Sequence, residues 1–221
     1  MIGIIVALKK EANGLIDSLT EKSEFCLSGK QFYRGKFLGH EVIIALSGIG
    51  KVSAALSTQT LIDKFSPKYI LNFGSVGGIK GEVEVLKYYA IEKCCQYDFD
   101  LSSLDNVKVG YMQDYDTIYF YPQTDCLDFL KPANLSTSDR FTEKPSDIET
   151  VKSLDCNLFD MEGAAIAQVC KSNDIPLYMI KGVTDTYGSG ADINTFYQNL
   201  DKVCKGFDAV LQKFFTAKEN A

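Results

Sequence analysis

The chain has 221 residues, 46% of them hydrophobic and 24% charged, a balance that supports a sizeable core and excludes a disordered protein. Net charge is −6 and there is no Lys/Arg-rich run, which argues against nucleic acid as a partner. No apolar run approaches the roughly 18–20 residues that cross a bilayer, and the first residues lack the basic start and cleavage site of a signal peptide.

A cytoplasmic protein with no membrane partner is therefore expected. The seven cysteines are scattered without a CxxC spacing, so neither a disulfide framework nor a zinc site is expected. The one histidine, His40, falls in a turn between two predicted strands. A His-based triad or metal cluster is thereby excluded, and acid/base chemistry falls to carboxylates or lysines. No metal or cofactor is called for.

In chain order, Met1–Leu8 is a short β-branched apolar run and reads as a buried strand. The spacing of Leu15, Ile16 and Leu19 predicts a helix over 10–19, with Glu11 in its first turn. Strands are predicted at Gln31–Phe37 and Glu41–Ser47, joined by a turn at Gly39. Ser47-Gly48-Ile49-Gly50 then leads into a helix over 51–65. Two glycines before a helix N-terminus can make an anion-binding loop, or only a tight turn. Tyr69–Ser75 reads as a strand, followed by Gly74-Ser75-Val76-Gly77-Gly78, whose small residues let backbone N–H groups and a hydroxyl approach a ligand.

Tyr88–Tyr97 is another predicted strand. Residues 102–135 carry an aromatic cluster and no clear periodicity beyond a short helix around Cys126–Phe129. A strand is predicted over Leu135–Phe141, a helix over 146–154 with Pro145 at its start, and a strand over Asn157–Asp160 that feeds Glu162. Ala165, Ile166, Val169 and Cys170 recur at helical spacing, so Glu162 sits at a strand-to-helix junction. Such junctions face the ligand crevice in open α/β sheets, although a first-turn carboxylate is also favoured by the helix dipole alone. Leu177–Val183 is an apolar strand. The Gly/Ser-rich segment ending at Gly190 reads as a mobile loop over a site, residues 191–216 as a closing amphipathic helix, and 216–221 as a frayed tail. The expected architecture is one layered α/β domain over 1–221, with a mixed central sheet flanked by helices.

Five segments, taken in order, carry a resemblance: Gly3-Ile4-Ile5-Val6-Ala7-Leu8-Lys9-Lys10-Glu11, Ser47-Gly48-Ile49-Gly50-Lys51, Asn72-Phe73-Gly74-Ser75-Val76-Gly77-Gly78, Phe159-Asp160-Met161-Glu162-Gly163 and Lys181-Gly182-Val183-Thr184-Asp185. Together they resemble the 5'-methylthioadenosine/S-adenosylhomocysteine nucleosidases of the purine nucleoside phosphorylase superfamily. The resemblance spans most of residues 1–100 and 136–200 and is lost over 102–135. It implies a nucleoside phosphorylase-like fold, a purine nucleoside as substrate and a homodimer.

The residues allow the chemistry independently of that likeness. Glu11, Ser75, Glu162 and Asp185 each fall at or after the end of a predicted strand. Three carboxylates without histidine or metal suit cleavage of an acetal-like C–N bond through an oxocarbenium-like transition state. The resemblance implies the roles. Glu11 would be the base that activates water, and Asp185 the acid that protonates the purine N7. Glu162 would hold the ribose 2'-hydroxyl. Met161 would pack on the ribose, with Ser75, Val76 and Gly77 beside it. Phe141 would stack on adenine and the Thr142 backbone reach the base edge. Leu8, Ile49 and Phe196 would line the 5' pocket, and Asp160 and Thr184 complete the substrate-binding set.

Departures from the family pattern are Asp160 for glutamate, Lys181 for arginine, Thr184 for serine, Tyr97 for histidine, and Arg140 beside Phe141. Asn72 stands where related phosphorylases carry an arginine, which favours water over phosphate as nucleophile. The competing readings are a phosphate-dependent phosphorylase, a futalosine-type nucleosidase, and a nucleoside-binding module without catalysis.

Overall fold

A computed structural model describes residues 1–190 and 193–219. At its centre lies β1 (Ile2–Val6), buried along its whole length. Its apolar, β-branched sequence suits a strand covered on both faces and both edges. β4 (His40–Leu46) and β5 (Ile70–Ile79) pair with it in parallel. β3 (Lys30–Phe37) and β2 (Thr20–Leu27) extend the sheet antiparallel to its outer edge. On the other side follow β8 (Leu158–Asp160), β7 (Lys131–Thr137), β6 (Tyr88–Gln96) and β9 (Leu177–Tyr187). β9 also pairs in parallel with β5, so β5, β8, β7, β6 and β9 close into a ring.

β5 belongs to both parts of this sheet. Its first residues, Ile70 to Asn72, pair with β1, and Gly77 and Gly78 pair with β8. Between the two pairings the sheet splits, with Ser75 in the split. Gly77 permits the second pairing, because a Cβ there would lie 2.2 Å from the Phe159 ring.

Helices cover both faces. α2 (Lys51–Phe65) and α5 (Gly163–Ser172) bury Ala54, Leu61, Ala164 and Ile166 in one apolar cluster. α1 (Lys9–Asp17) and α6 (Ile193–Glu219) bury Leu15, Phe207, Leu211 and Phe214 in another. α3 (Ser102–Asp105) and α4 (Pro145–Ser153) are short, and α4 has the expected proline in its first turn. The fold is thus the expected mixed sheet flanked by helices.

Several boundaries differ from the sequence reading, each for a physical reason. β2 was not expected: as an edge strand it is mostly exposed, and only Phe25 and Leu27 at its end alternate inward, too short a pattern to mark a strand. The strand expected at Leu135–Phe141 ends at Thr137, where Ser138 Oγ instead bonds the Arg140 carbonyl at 2.9 Å and turns the chain. Phe141 therefore lies in a loop. Cys126–Phe129 forms turns, not a helix, with Leu127 N–H donating to the Thr124 carbonyl. β9 runs on through Thr184–Tyr187, so only Gly188–Gly190 remains of the expected loop. α6 continues to Glu219 instead of fraying at 216. The first two residues of the expected closing helix, 191 and 192, and the last two of the tail, 220 and 221, lie outside the described residues.

Candidate active site

The split in the sheet opens a cleft. Its wall includes all the sequence-predicted residues: Glu11, Glu162 and Asp185, with Leu8, Ile49, Ser75, Val76, Gly77, Phe141, Thr142, Asp160, Met161, Thr184 and Phe196. Sequence reasoning did not place Ala7 or Phe159 there; Arg140, which it marked as unusual and able to touch the substrate, is also in the wall.

Glu11 is carried into the cleft by the first turn of α1. Its Oε1 accepts the Ser75 N–H at 2.7 Å and the Ser75 hydroxyl at 2.6 Å, and its Oε2 accepts the Leu8 N–H at 3.0 Å. The Ser75 N–H is available because β5 has left β1 and has not yet reached β8. Gly74 makes the room: a Cβ there would stand 3.3 Å from Glu11 Oε1. A carboxylate offers about four acceptor positions, so three donors still leave one for a water.

Glu162 follows β8 and is the residue before α5. Its Oε1 accepts the Gly50 N–H at 2.9 Å. Burial is the main cause that pushes its carboxyl up to about 7, and the neighbouring Asp160 charge adds to the shift; Gly50 N–H and Lys181 oppose it. The glycine loop before α2 therefore presents backbone donors, and the carboxyl groups they meet are the chain's own. Lys51 N–H, the next donor, goes to Asp139 Oδ1 at 2.7 Å.

Asp185 comes from β9 through a bulge. Val76 is opposite Val183, but Gly77 is opposite Asp185, so Thr184 is the extra residue. Bulges of this kind re-aim the side chain that follows. The Thr184 hydroxyl reaches the Val76 carbonyl at 3.1 Å and Asp185 Oδ1 at 2.7 Å. Burial raises the Asp185 pKa and the Thr184 hydroxyl works against it.

Asp160 borders the cleft with both oxygens already engaged. They accept from Thr137 Oγ1 at 2.6 Å, Gly163 N–H at 3.0 Å and Lys181 Nζ at 2.9 Å. Asp160 and Lys181 are both 2% exposed at the side chain, so this is a buried ion pair beneath Glu162. The geometry makes Asp160 a brace for the junction rather than an open ligand group. Phe141 is 63% exposed and lines the cleft. Arg140 is drawn aside by Asp147, 2.6 Å from its Nη2, and lies over the Tyr97 ring.

The family profile described as the phosphorylase superfamily matches residues 1–216. A 5'-methylthioadenosine/S-adenosylhomocysteine nucleosidase from Buchnera aphidicola subsp. Acyrthosiphon pisum is 32% identical over 91% of both chains. The chain belongs to this nucleosidase family. A nucleosidase of that name from Colwellia psychrerythraea 34H, solved in complex with adenine, superposes with a TM-score of 0.88 at 28% identity, covering 98% of this chain and 94% of that one. The Streptococcus pneumoniae MTA/SAH nucleosidase, solved with 8-aminoadenine, gives a TM-score of 0.87 at 26% identity and covers 98% of this chain and 99% of that one.

Within the family pattern the substituted positions have visible consequences here. Lys181 can reach Asp160 as a single point charge, where an arginine would offer a fork. Tyr97 serves as a shared partner, its hydroxyl 2.8 Å from both Ser138 Oγ and Thr142 Oγ1. Asn72 is buried and gives its amide to the Ile5 carbonyl at 2.9 Å, away from the cleft.

Proposed function

We propose that this cleft hydrolyses the N-ribosidic bond of 5'-methylthioadenosine and S-adenosylhomocysteine, releasing adenine, with Glu11, Glu162 and Asp185 as its working acids. The convergence of these three carboxylates in one cleft carries the reading. Glu11, held by three donors, takes a proton from water as the water oxygen bonds to C1' of the ribose. Asp185, whose pKa burial raises, keeps a proton for the purine N7 as the C1'–N9 bond breaks. Glu162 holds the 2'-hydroxyl with the oxygen that Gly50 does not occupy, a contact that strengthens as the sugar becomes cationic. Phe141 stacks on the base and the Thr142 backbone meets its edge. Leu8, Ile49 and Phe196 receive the 5' substituent. One proton enters at N7 and one leaves the water, so the acids are reset by a net transfer from Glu11 to Asp185.

Water is favoured over phosphate by the cations. Arg140 is the one Lys or Arg among the described residues of the cleft wall, and it is paired with Asp147. Lys10 is paired with Asp201, and Asn72 presents no charge. A phosphate dianion would have no uncommitted partner there.

A homodimer and a cytoplasmic location complete the reading. Ile49, Val52 and Leu56 leave an apolar strip exposed at the start of α2, and seven free cysteines suit a reducing compartment. Among the described residues no helix is long and apolar enough to cross a membrane. The deciding experiment is base release by liquid chromatography from methylthioadenosine, S-adenosylhomocysteine, adenosine and inosine, with and without phosphate. Adenine from the thio-nucleosides without phosphate is expected. Release that requires phosphate would overturn the hydrolytic reading, and a monomeric mass by light scattering at micromolar protein would overturn the dimer.

A further inference from the structure

The loop after β7 and the N-terminus of α2 are tied together by a small polar cluster outside the catalytic acids. Asp139 Oδ1 accepts the Lys51 N–H at 2.7 Å. The Asp139 N–H donates to Asp98 Oδ2 at 2.9 Å, and Asp98 Oδ1 accepts Lys51 Nζ at 2.7 Å. The Lys51 and Asp98 side chains are 18% and 15% exposed, so that end of the cluster is partly shielded from water, while Asp139 itself is exposed. The preceding donor on the same helix end, Gly50 N–H, goes to Glu162. Gly50 has φ +96°, and a Cβ there would stand 3.1 Å from Asp139 Oδ1, so the contact is close. Two successive backbone donors thus serve Glu162 on the ribose side and Asp139 on the base side.

The other flank of the loop is held as well. Ser138 and Thr142 both bond the Tyr97 hydroxyl, and Arg140 pairs with Asp147. Phe141 is the residue left pointing out.

We propose that Asp139 is a positioning residue of the reaction, joining the loop that presents Phe141 to the helix end that orients Glu162. This rests on the roles given above to Phe141 and Glu162. Asp139 touches no substrate; it acts by holding the Gly50–Lys51 peptide where the Gly50 N–H meets Glu162. Its carboxylate is needed as an acceptor, not as a charge. Asparagine at 139 can keep that bond and alanine cannot.

The test compares wild type, Asp139→Asn and Asp139→Ala in methylthioadenosine hydrolysis and in adenine binding by calorimetry. With alanine, KM and the adenine Kd rise several-fold and kcat falls about tenfold, the scale of losing one cap-type hydrogen bond. With asparagine all three stay within about twofold of wild type, because the acceptor remains. A rise in KM with kcat unchanged would confine Asp139 to the loop and overturn the link to Glu162. Equal losses in both variants would show that charge matters, which also overturns it. Should Asp139→Ala fail to fold by circular dichroism, Lys51→Pro, which deletes the N–H that Asp139 accepts at a first-turn position that tolerates proline, carries the same expectation, and unchanged KM and kcat there would overturn it. Absence of base release by wild type is a separate failure, of the reaction assigned to the cleft. Adenine binding by the variants would still decide whether Asp139 holds the base loop.

Discussion

Ser75 and Glu11 lie 64 positions apart and share two hydrogen bonds, one from the Ser75 backbone and one from its hydroxyl, both to the same oxygen of Glu11. The carboxylate fills the gap where β5 passes from β1 to β8 and takes up a strand N–H that would otherwise lack a partner. Orientation of the Glu11 carboxylate and satisfaction of the sheet edge are one interaction.

Ser75→Ala removes the hydroxyl donor and leaves the N–H. Turnover of methylthioadenosine should fall about tenfold, the value of one charge-assisted hydrogen bond. Glu11→Gln keeps an acceptor but cannot take a proton, and should cost at least about a hundredfold, the usual worth of a general base. Equal losses from the two variants, measured by adenine release, would assign Glu11 to placement alone.

Asp185→Asn should abolish base release and leave binding of an unreactive adenosine analogue within a few-fold of wild type. Unchanged turnover would remove Asp185 from the acid role. Thr184→Val deletes the hydroxyl that opposes the upward shift of Asp185. Asp185 should then keep its proton to higher pH, moving the alkaline limb of kcat upward. A limb that stays in place would assign that titration to another group.

Glu162 makes stability depend on pH. Its carboxyl is raised from an ordinary 4.5 to about 7, so the folded state holds that proton more tightly than the unfolded state does. The contribution is fully present below 4.5 and is lost as pH rises through about 7. Its size is at most about 3 kcal/mol. Urea unfolding across this range should show wild type losing stability relative to Glu162→Gln, which has no proton to release, as pH rises. Parallel curves would refute the shift.

Lys181→Met leaves Asp160 buried without its cation. A loss of about 3–5 kcal/mol is expected by chemical denaturation, because the carboxylate has no water to replace the partner. Adding Asp160→Asn should recover part of it. A single variant as stable as wild type would show that the Lys181–Asp160 contact does not support the fold.

The placement of each acid beside a strand end was legible from local sequence, because strands such as Ile2–Val6 announce themselves by uninterrupted apolar residues, while the reaction class came from the resemblance of five ordered segments to the nucleosidases. Glycines at 48, 50, 74 and 77 likewise marked where backbone comes close to something else. The amphipathic face of α6 was legible for the same reason: Phe207, Leu211 and Phe214 repeat with the helix and are buried together. β2 was not, because a mostly exposed edge strand carries too short a burial pattern, and the end of β7 was not, because one serine hydroxyl turned the chain.

By itself, then, the order of residues determined the strands that are buried and the placing of three carboxylates and their neighbours at strand ends. Tertiary structure alone decided the rest. It set the split of β5 that frees a donor for Glu11, the extra residue at Thr184 that aims Asp185, and the Lys181–Asp160 pair beneath Glu162. These depend on register and on contacts between residues far apart in the chain. Local periodicity reports which face a residue occupies, but not which distant group it will meet there.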